Sequence, residues 1–164
     1  MADARAQRPL EAAAATRVAS VDDAAVLARL LWDFNTEFEA PIDAVEVLEA
    51  RLRRVLAGDR FWALLAGDPA AGFVTLAMRD SALTAGPVAY LEDFYVVPEL
   101  RGRGIGSALM GLLLEEVSRR GIAMVEIGVD EPDDGALRFY ERHAFVHRDP
   151  ETGDRAFYLY REFG

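Results

Sequence analysis

A mixed α/β fold is what this sequence predicts, and three observations predict it. Four segments carry apolar residues at helical spacing, and several short apolar runs are set off by turn residues. A strand-like stretch, Val88–Val97, also runs through a glycine-rich turn into one of the helices. The implied order β-α-α-β-β-β-α-β-α-β-β gives an α+β mixed sheet with helices on both faces. A chain of 164 residues suits a single domain, read as residues 16–164 behind a flexible tail of residues 1–15.

Arg17–Ala19 reads as a short first strand. Ser20 with Asp23 three residues on is a capping-box variant, opening a helix through Val26, Leu27, Leu30, Leu31 and Phe34. After a turn around Glu37–Pro41, Val45, Leu48, Leu52, Val55 and Leu56 mark a second helix that Gly58 ends. Phe61–Ala66 and Phe73–Met78 flank Gly67-Asp68-Pro69 and read as a hairpin. Ile105, Leu109, Leu112, Leu113 and Val117 mark a third helix, closed by Gly121 and followed by a strand at Ala123–Val129. Asp133 or Asp134 caps a shorter helix through Ala136, Leu137 and Tyr140. Phe145–Arg148 and Ala156–Arg161 then form a closing hairpin around Asp149–Asp154.

Composition excludes several chemistries. The chain has no cysteine, which removes disulfides, thiolate metal sites and a cysteinyl intermediate. All 18 basic residues are arginine, so Schiff-base catalysis and a Walker-type phosphate loop are excluded for want of a lysine. A net charge of −10 argues against nucleic acid as a partner and suits a cationic substrate. No apolar run approaches membrane-spanning length, and residues 1–15 lack the apolar segment of a signal peptide. No membrane partner is therefore expected, and a cytoplasmic location is the default.

The richest stretch is Leu91-Glu92-Asp93-Phe94-Tyr95-Val96-Val97-Pro98-Glu99-Leu100-Arg101-Gly102-Arg103-Gly104-Ile105-Gly106. Glycines on alternate residues between a strand and a helix permit positive φ and close approach of backbone to a ligand. Successive amides at a helix N-terminus then suit a phosphate, although the same spacing also serves plain helix entries. A dinucleotide-binding turn needs G-x-G-x-x-G early in a βαβ unit, and the order here is different. His143 and His147 stand at i, i+4, but Phe145 and Val146 between them look like strand and no third ligand is evident, so no metal is expected.

The string from Val97 to Gly106 resembles the acetyl-CoA signature of the GNAT superfamily of N-acetyltransferases, Arg/Gln-x-x-Gly-x-Gly/Ala, and the element order is similar to that fold from about Thr16 to Phe163. Tyr90-Leu91-Glu92-Asp93-Phe94 with Arg101 to Ser107 is especially similar to the spermidine/spermine N-acetyltransferases and their diamine- or thialysine-acetylating relatives. The resemblance implies a central, mostly antiparallel sheet that splays beside the motif strand to admit the cofactor arm. It also implies acetyl-CoA as co-substrate, a small-molecule amine as acceptor and a homodimer, with Phe157–Tyr160 as a contact.

By that resemblance, Phe94 and Val96 pair with the pantetheine through their backbones, and the amides of Gly102, Arg103, Gly104, Ile105, Gly106 and Ser107 hold the diphosphate, with Arg101 and Arg103 adding positive charge nearby. Asp133 or Asp134 replaces the asparagine by which many relatives touch the pantetheine. Trp32, Glu37 and Phe38, with Glu92 and Asp93, are the candidate acceptor residues, since aromatics and carboxylates suit an alkylammonium.

An alkylammonium of pKa ~10 is a free nucleophile in only about one molecule in a thousand at neutral pH, so a base is needed. Glu92 is that candidate, and strand alternation sets it on the face of Tyr90, Phe94 and Val96, opposite Asp93. Tyr140 is the candidate acid for the departing thiolate. Ala136-Leu137-Arg138-Phe139-Tyr140-Glu141-Arg142-His143-Ala144-Phe145 resembles the family's A-x-x-F-Y-x-x-x-G-F segment, with alanine in place of its glycine. The function expected is acetyl transfer to a polyamine, diamine or basic amino acid by direct attack in a ternary complex. The alternatives are a non-catalytic acyl-CoA sensor, or an acetyltransferase for a protein N-terminus, a lysine or an aminoglycoside.

Overall fold

The computed structural model describes residues 15–155 and 157–163. The expected tail of residues 1–15 therefore falls outside the described chain except for Ala15, whose carbonyl accepts from Gly67 N–H at 2.8 Å. Two compact units make up the chain, one ending at Glu126 and the other starting at Ile127.

In the first unit, β1 (Thr16–Val18), α1 (Ala24–Glu37), α2 (Val45–Leu56), β2 (Phe61–Ala66), β3 (Gly72–Arg79), β4 (Val88–Val96) and α3 (Ile105–Arg119) follow in the expected order, and β5 (Met124–Ile127) closes the sheet. Strand order is β1-β2-β3-β4-β5, with the first three pairings antiparallel.

The Ser20 capping box forms. Asp23 accepts from the Ser20 amide at 2.8 Å, and the Arg17 guanidinium grips the same carboxylate at 2.6 and 2.8 Å. That grip pulls the Asp23 carboxyl down to about 2. One 3-10 turn at Val21–Asp23 precedes α1, which runs three residues past its last apolar marker because Asn35 caps the Leu31 carbonyl and Phe38 N–H still reaches Phe34.

Registered residues sort the sheet into two buried faces. Leu65, Phe73 and Tyr95 lie side by side and pack with Leu27, Leu30, Leu48 and Leu52 of α1 and α2. Gly72 belongs to the other face, where a Cβ would stand 3.3 Å from Leu109 and 2.8 Å from the Tyr95 carbonyl oxygen. Here α3 lies against the strands and buries Ile105, Leu109, Met110 and Leu113. Each fully buried leucine contributes about 2 kcal/mol of apolar transfer. Helices thus cover both faces, as the periodicities required.

The second unit holds α4 (Asp134–Arg142). It ends in a Schellman turn: Phe145 N–H reaches the Tyr140 carbonyl at 3.1 Å and Ala144 N–H reaches Glu141 at 3.0 Å. Ala144 takes the left-handed position, φ 64°, where glycine is usual, and Phe145 closes the motif with its ring 5.5 Å from Tyr140.

The closing hairpin expected from Phe145–Arg148 and Ala156–Arg161 does not form as two strands among the described residues, outside which Ala156 lies. Its turn does form, with Asp149 accepting from the Glu151 and Thr152 amides, but the ladder is one bridge, Arg148 to Arg155. Strand propensity reflects packing on a half-buried pleated surface. Phe157, Tyr158, Leu159 and Tyr160 are exposed, so no burial repays their ordering.

Ala144→Gly should stabilise the protein by about 1 kcal/mol, since an L-residue in the left-handed region costs about that much. A melting point raised by about 2–4 °C, read by circular dichroism, is the expected result.

Candidate functional site

Everything at the site hangs on how β4 passes through the sheet. Thr75 of β3 stands opposite Asp93, but its neighbour Leu76 stands opposite Leu91, so Glu92 is an extra residue with no partner in the ladder. A bulge of this kind re-aims the side chains beside it. Simple alternation put Glu92 and Asp93 on opposite faces, and the bulge overturns that expectation. Both carboxylates line one cleft of about 610 Å³, whose walls include Leu48, Leu52 and Phe61.

The two acids differ in setting. Asp93 is partly buried and accepts from the hydroxyl of Thr75, itself 1% exposed. Burial raises the Asp93 carboxyl above the ordinary range, and the Thr75 hydrogen bond partly opposes this. Glu92 reaches solvent, yet the cleft wall strips part of its hydration and the neighbouring Asp93 charge adds to the effect, so its carboxyl is also raised. No ion pair or hydrogen bond engages Glu92 among the described residues. A carboxylate so raised and unengaged is a better proton acceptor than an ordinary one.

Beyond β4 the chain makes one 3-10 turn, Pro98–Leu100, and enters the glycine turn. Gly102 and Gly104 take φ of 73° and 85°, and Gly104 is the N-cap of α3. Buried Ile105 pins the helix start, whose first bond runs from Ala108 N–H to the Gly104 carbonyl. Among the described residues, the amides of residues 102–107 donate to nothing. A Cβ on Gly102 or Gly104 would meet no atom within 4 Å, so the space against this backbone is open. Open amides at the positive end of a 15-residue helix suit the diphosphate of acetyl-CoA.

The two arginines of the turn part company. Arg101 is fully engaged: its Nε donates to the Val96 carbonyl at 2.8 Å, its two terminal nitrogens reach Glu37 at 2.7 and 2.8 Å, and it stands over the Tyr95 ring at 5.6 Å. Arg103 makes no ion pair or hydrogen bond among the described residues and remains free to meet an anion. Phe94 sits opposite Val74, and Val96 opposite Gly72.

The acceptor residues expected on α1 are not on the cleft. Glu37 is held by Arg101, Phe38 is exposed and edges the Phe34 ring at 5.4 Å, and Trp32 packs partly buried under the Arg29 guanidinium at 4.9 Å. Besides Leu31 of α1 and residues of the sheet, the cleft is lined by α2 and the loop after it, including Arg51, Arg54, Asp59 and Arg60. Thr75 was also missed. Its one signal was a hydroxyl inside the apolar run Phe73–Met78.

In the second unit, Asp133 is the N-cap of α4 and accepts from Ala136 N–H at 2.9 Å. Tyr140 is buried, with its ring against Phe139 and Phe145. His143 edges the Phe139 ring, and His147 lies 3.3 Å from Glu141. No metal-binding group of three or more His, Cys, Asp or Glu occurs among the described residues.

Comparison with known proteins agrees with this geometry. Residues 25–145 match the Acetyltransferase (GNAT) family. A crystal structure from Arthrobacter sp. FB24, provisionally described as an acetyltransferase, is 42% identical with a TM-score of 0.85, covering 91% of this chain and 96% of that one. An aminoglycoside acetyltransferase from an uncultured soil metagenomic sample, solved with sisomicin, shares the fold at 21% identity and a TM-score of 0.74, covering 92% and 96%. An uncharacterised N-acetyltransferase of Methanocaldococcus jannaschii is 38% identical over 66 residues, which is 40% of this chain but 29% of that relative.

The raised Asp93 carboxyl fixes the sign of a pH effect. A folded pKa above the unfolded one means the native state binds that proton more tightly, so stability from the group is present at low pH and lost as pH rises past the folded value. Wherever this carboxyl is ionised, the fold carries a partly desolvated charge. Asp93→Asn keeps an acceptor for Thr75 and should raise the melting point at pH 7 by about 2 °C or more, with the gain shrinking as pH falls into the carboxylate range. Thermal melts of both proteins across pH check this.

Proposed function

This chain belongs to the acetyltransferase (GNAT) family, and on that premise we propose that it transfers the acetyl group of acetyl-CoA to the primary amine of a small cationic acceptor. The observation that carries the reading is the turn at residues 102–107, with its unengaged amides, two left-handed glycines and open space beside them. Those amides and Arg103 would hold the diphosphate, and the thioester supplies an activated acyl carbon.

The chain's own residues then have three tasks. Glu92 takes a proton from the acceptor ammonium, directly or through water, and so exposes the nitrogen lone pair. Asp93, fixed by Thr75, keeps the floor of the cleft negative and favours the cationic acceptor. Tyr140 takes the role of proton donor to the thiolate on the strength of the segment resemblance. The balance is one new C–N bond for one broken C–S bond, with ammonium and thioester giving amide, thiol and one released proton. The absence of cysteine makes direct transfer the route, since no acetyl-cysteine can form.

Calorimetry should show coenzyme A binding, and Arg103→Gln should weaken it several-fold while flattening its dependence on salt. No affinity for coenzyme A or acetyl-CoA would end the proposal.

In steady-state assays of released thiol, kcat/KM should rise with pH along a limb set by Glu92, centred above the ordinary carboxylate range because burial and Asp93 raise that group. Glu92→Gln should delete the limb and cost about 10²-fold or more, and Tyr140→Phe should lower kcat by at least about tenfold. An unaltered pH profile in the first variant would assign the base elsewhere.

A further inference from the structure

The charges around the acceptor cleft do not balance for a simple diamine. The sheet side offers Glu92 and Asp93, whose one described partner is the Thr75 hydroxyl. Three arginines also line the cleft, and two are already neutralised. Arg51 pairs with Asp43 at 2.7 Å, and Arg60 makes a two-bonded pair with Asp80 at 2.9 and 3.0 Å. Asp59 lies 3.8 Å from Arg60 with its side chain 94% exposed, where solvent screens it. Arg54 alone keeps an unspent charge: it lines the cleft from the last turn of α2 and has no ion pair or hydrogen bond among the described residues. The adjacent Arg53 is by contrast tied to Glu49 at 2.8 Å.

A cleft lined by a free guanidinium and by carboxylates is complementary to a molecule bearing both signs. A second ammonium would instead face Arg54 and be repelled, which is discrimination by like charge. The planar fork of arginine also matches a carboxylate through two parallel hydrogen bonds. The apolar walls at Leu48, Leu52 and Phe61 suit a methylene stem between the two ends.

We infer that the acceptor is an amino acid, an amine joined through a short aliphatic stem to a carboxylate, and that Arg54 receives the carboxylate while Glu92 and Asp93 face the amine. The inference rests on the acetyl-transfer reading above and narrows its acceptor to one class.

Matched pairs test it: lysine against cadaverine, and ornithine against putrescine, each differing by one carboxylate. With acetyl-CoA saturating and released thiol as the readout, kcat/KM should favour the amino acid of at least one pair by tenfold or more. Arg54→Gln should collapse that ratio at least tenfold, through KM for the amino acid, whereas Arg53→Gln should keep it. Equal rates within both pairs, a preference for the diamines, or no acetylation of any of the four would overturn the inference. So would a preference that survives Arg54→Gln, or an Arg54→Gln effect confined to the melting point, which would mean that Arg54 serves only the C-terminus of α2. Calorimetry with coenzyme A on the same preparation separates the two levels: failure to bind defeats the acetyl-transfer reading itself, while binding without the preference defeats the acceptor class alone.

Discussion

One constraint shapes the first unit: a strand covered by helices on both faces has to carry two adjacent carboxylates. With strict alternation, one of Glu92 and Asp93 would be driven into an apolar layer, against α3 or against the α1–α2 pair. The single-residue bulge at Glu92 avoids this by taking that residue out of the ladder. Both acids then open on the same cleft, and the apolar register resumes with Leu91 opposite Leu76. The cost is concentrated on Asp93, whose carboxyl is partly removed from water and answered by one hydroxyl. A fold selected for stability alone would place a neutral residue there, so the retained carboxylate points to use.

The glycine turn is held by a different means. Arg101 joins the end of β4, the Tyr95 ring and the C-terminal end of α1 through four interactions on one guanidinium. A group so occupied would have to give up a bidentate partner and a backbone acceptor to reach a ligand. In this structure it fixes where the turn departs, while the backbone amides and Arg103 are the groups left open. Charge count treats the two arginines alike; geometry separates them.

Much of this was legible in the sequence. Periodicity placed the four helices and the five strands of the sheet, because each buried stripe has to face a layer. Ser20, Gly121 and Asp133 marked helix ends through local chemistry that needs no tertiary context. The glycine turn was legible for the same reason, since its backbone angles are encoded by its residues. The bulge was not, because an inserted residue in a ladder is defined by the partner strand, and Glu92 alone cannot say whether Thr75 or Leu76 lies opposite. The pairing of Glu37 was hidden for a related reason: its partner, Arg101, lies 64 residues later. Ala144 shows the opposite case, where alanine replaces the usual glycine and the Schellman turn still imposes its left-handed angle.

The net charge of −10 bears unequally on the two ligands proposed. A cationic end is drawn toward the cleft by the field of the whole molecule, while the diphosphate of coenzyme A is pushed away by it. Salt limits both effects to about 8 Å at physiological strength. The open groups that the turn itself presents are positive: bare amides, the N-terminus of α3 and the Arg103 guanidinium. On the proposed reading, the anion would therefore be held by short-range, directional groups that fix its orientation, which transfer of an acyl group requires. The acceptor is collected by a longer-range and less directional force, and its selection falls to the few charges that the cleft leaves unpaired. Because every cation on this protein is an arginine, none of its own side chains offers a competing alkylamine to the activated acetyl group.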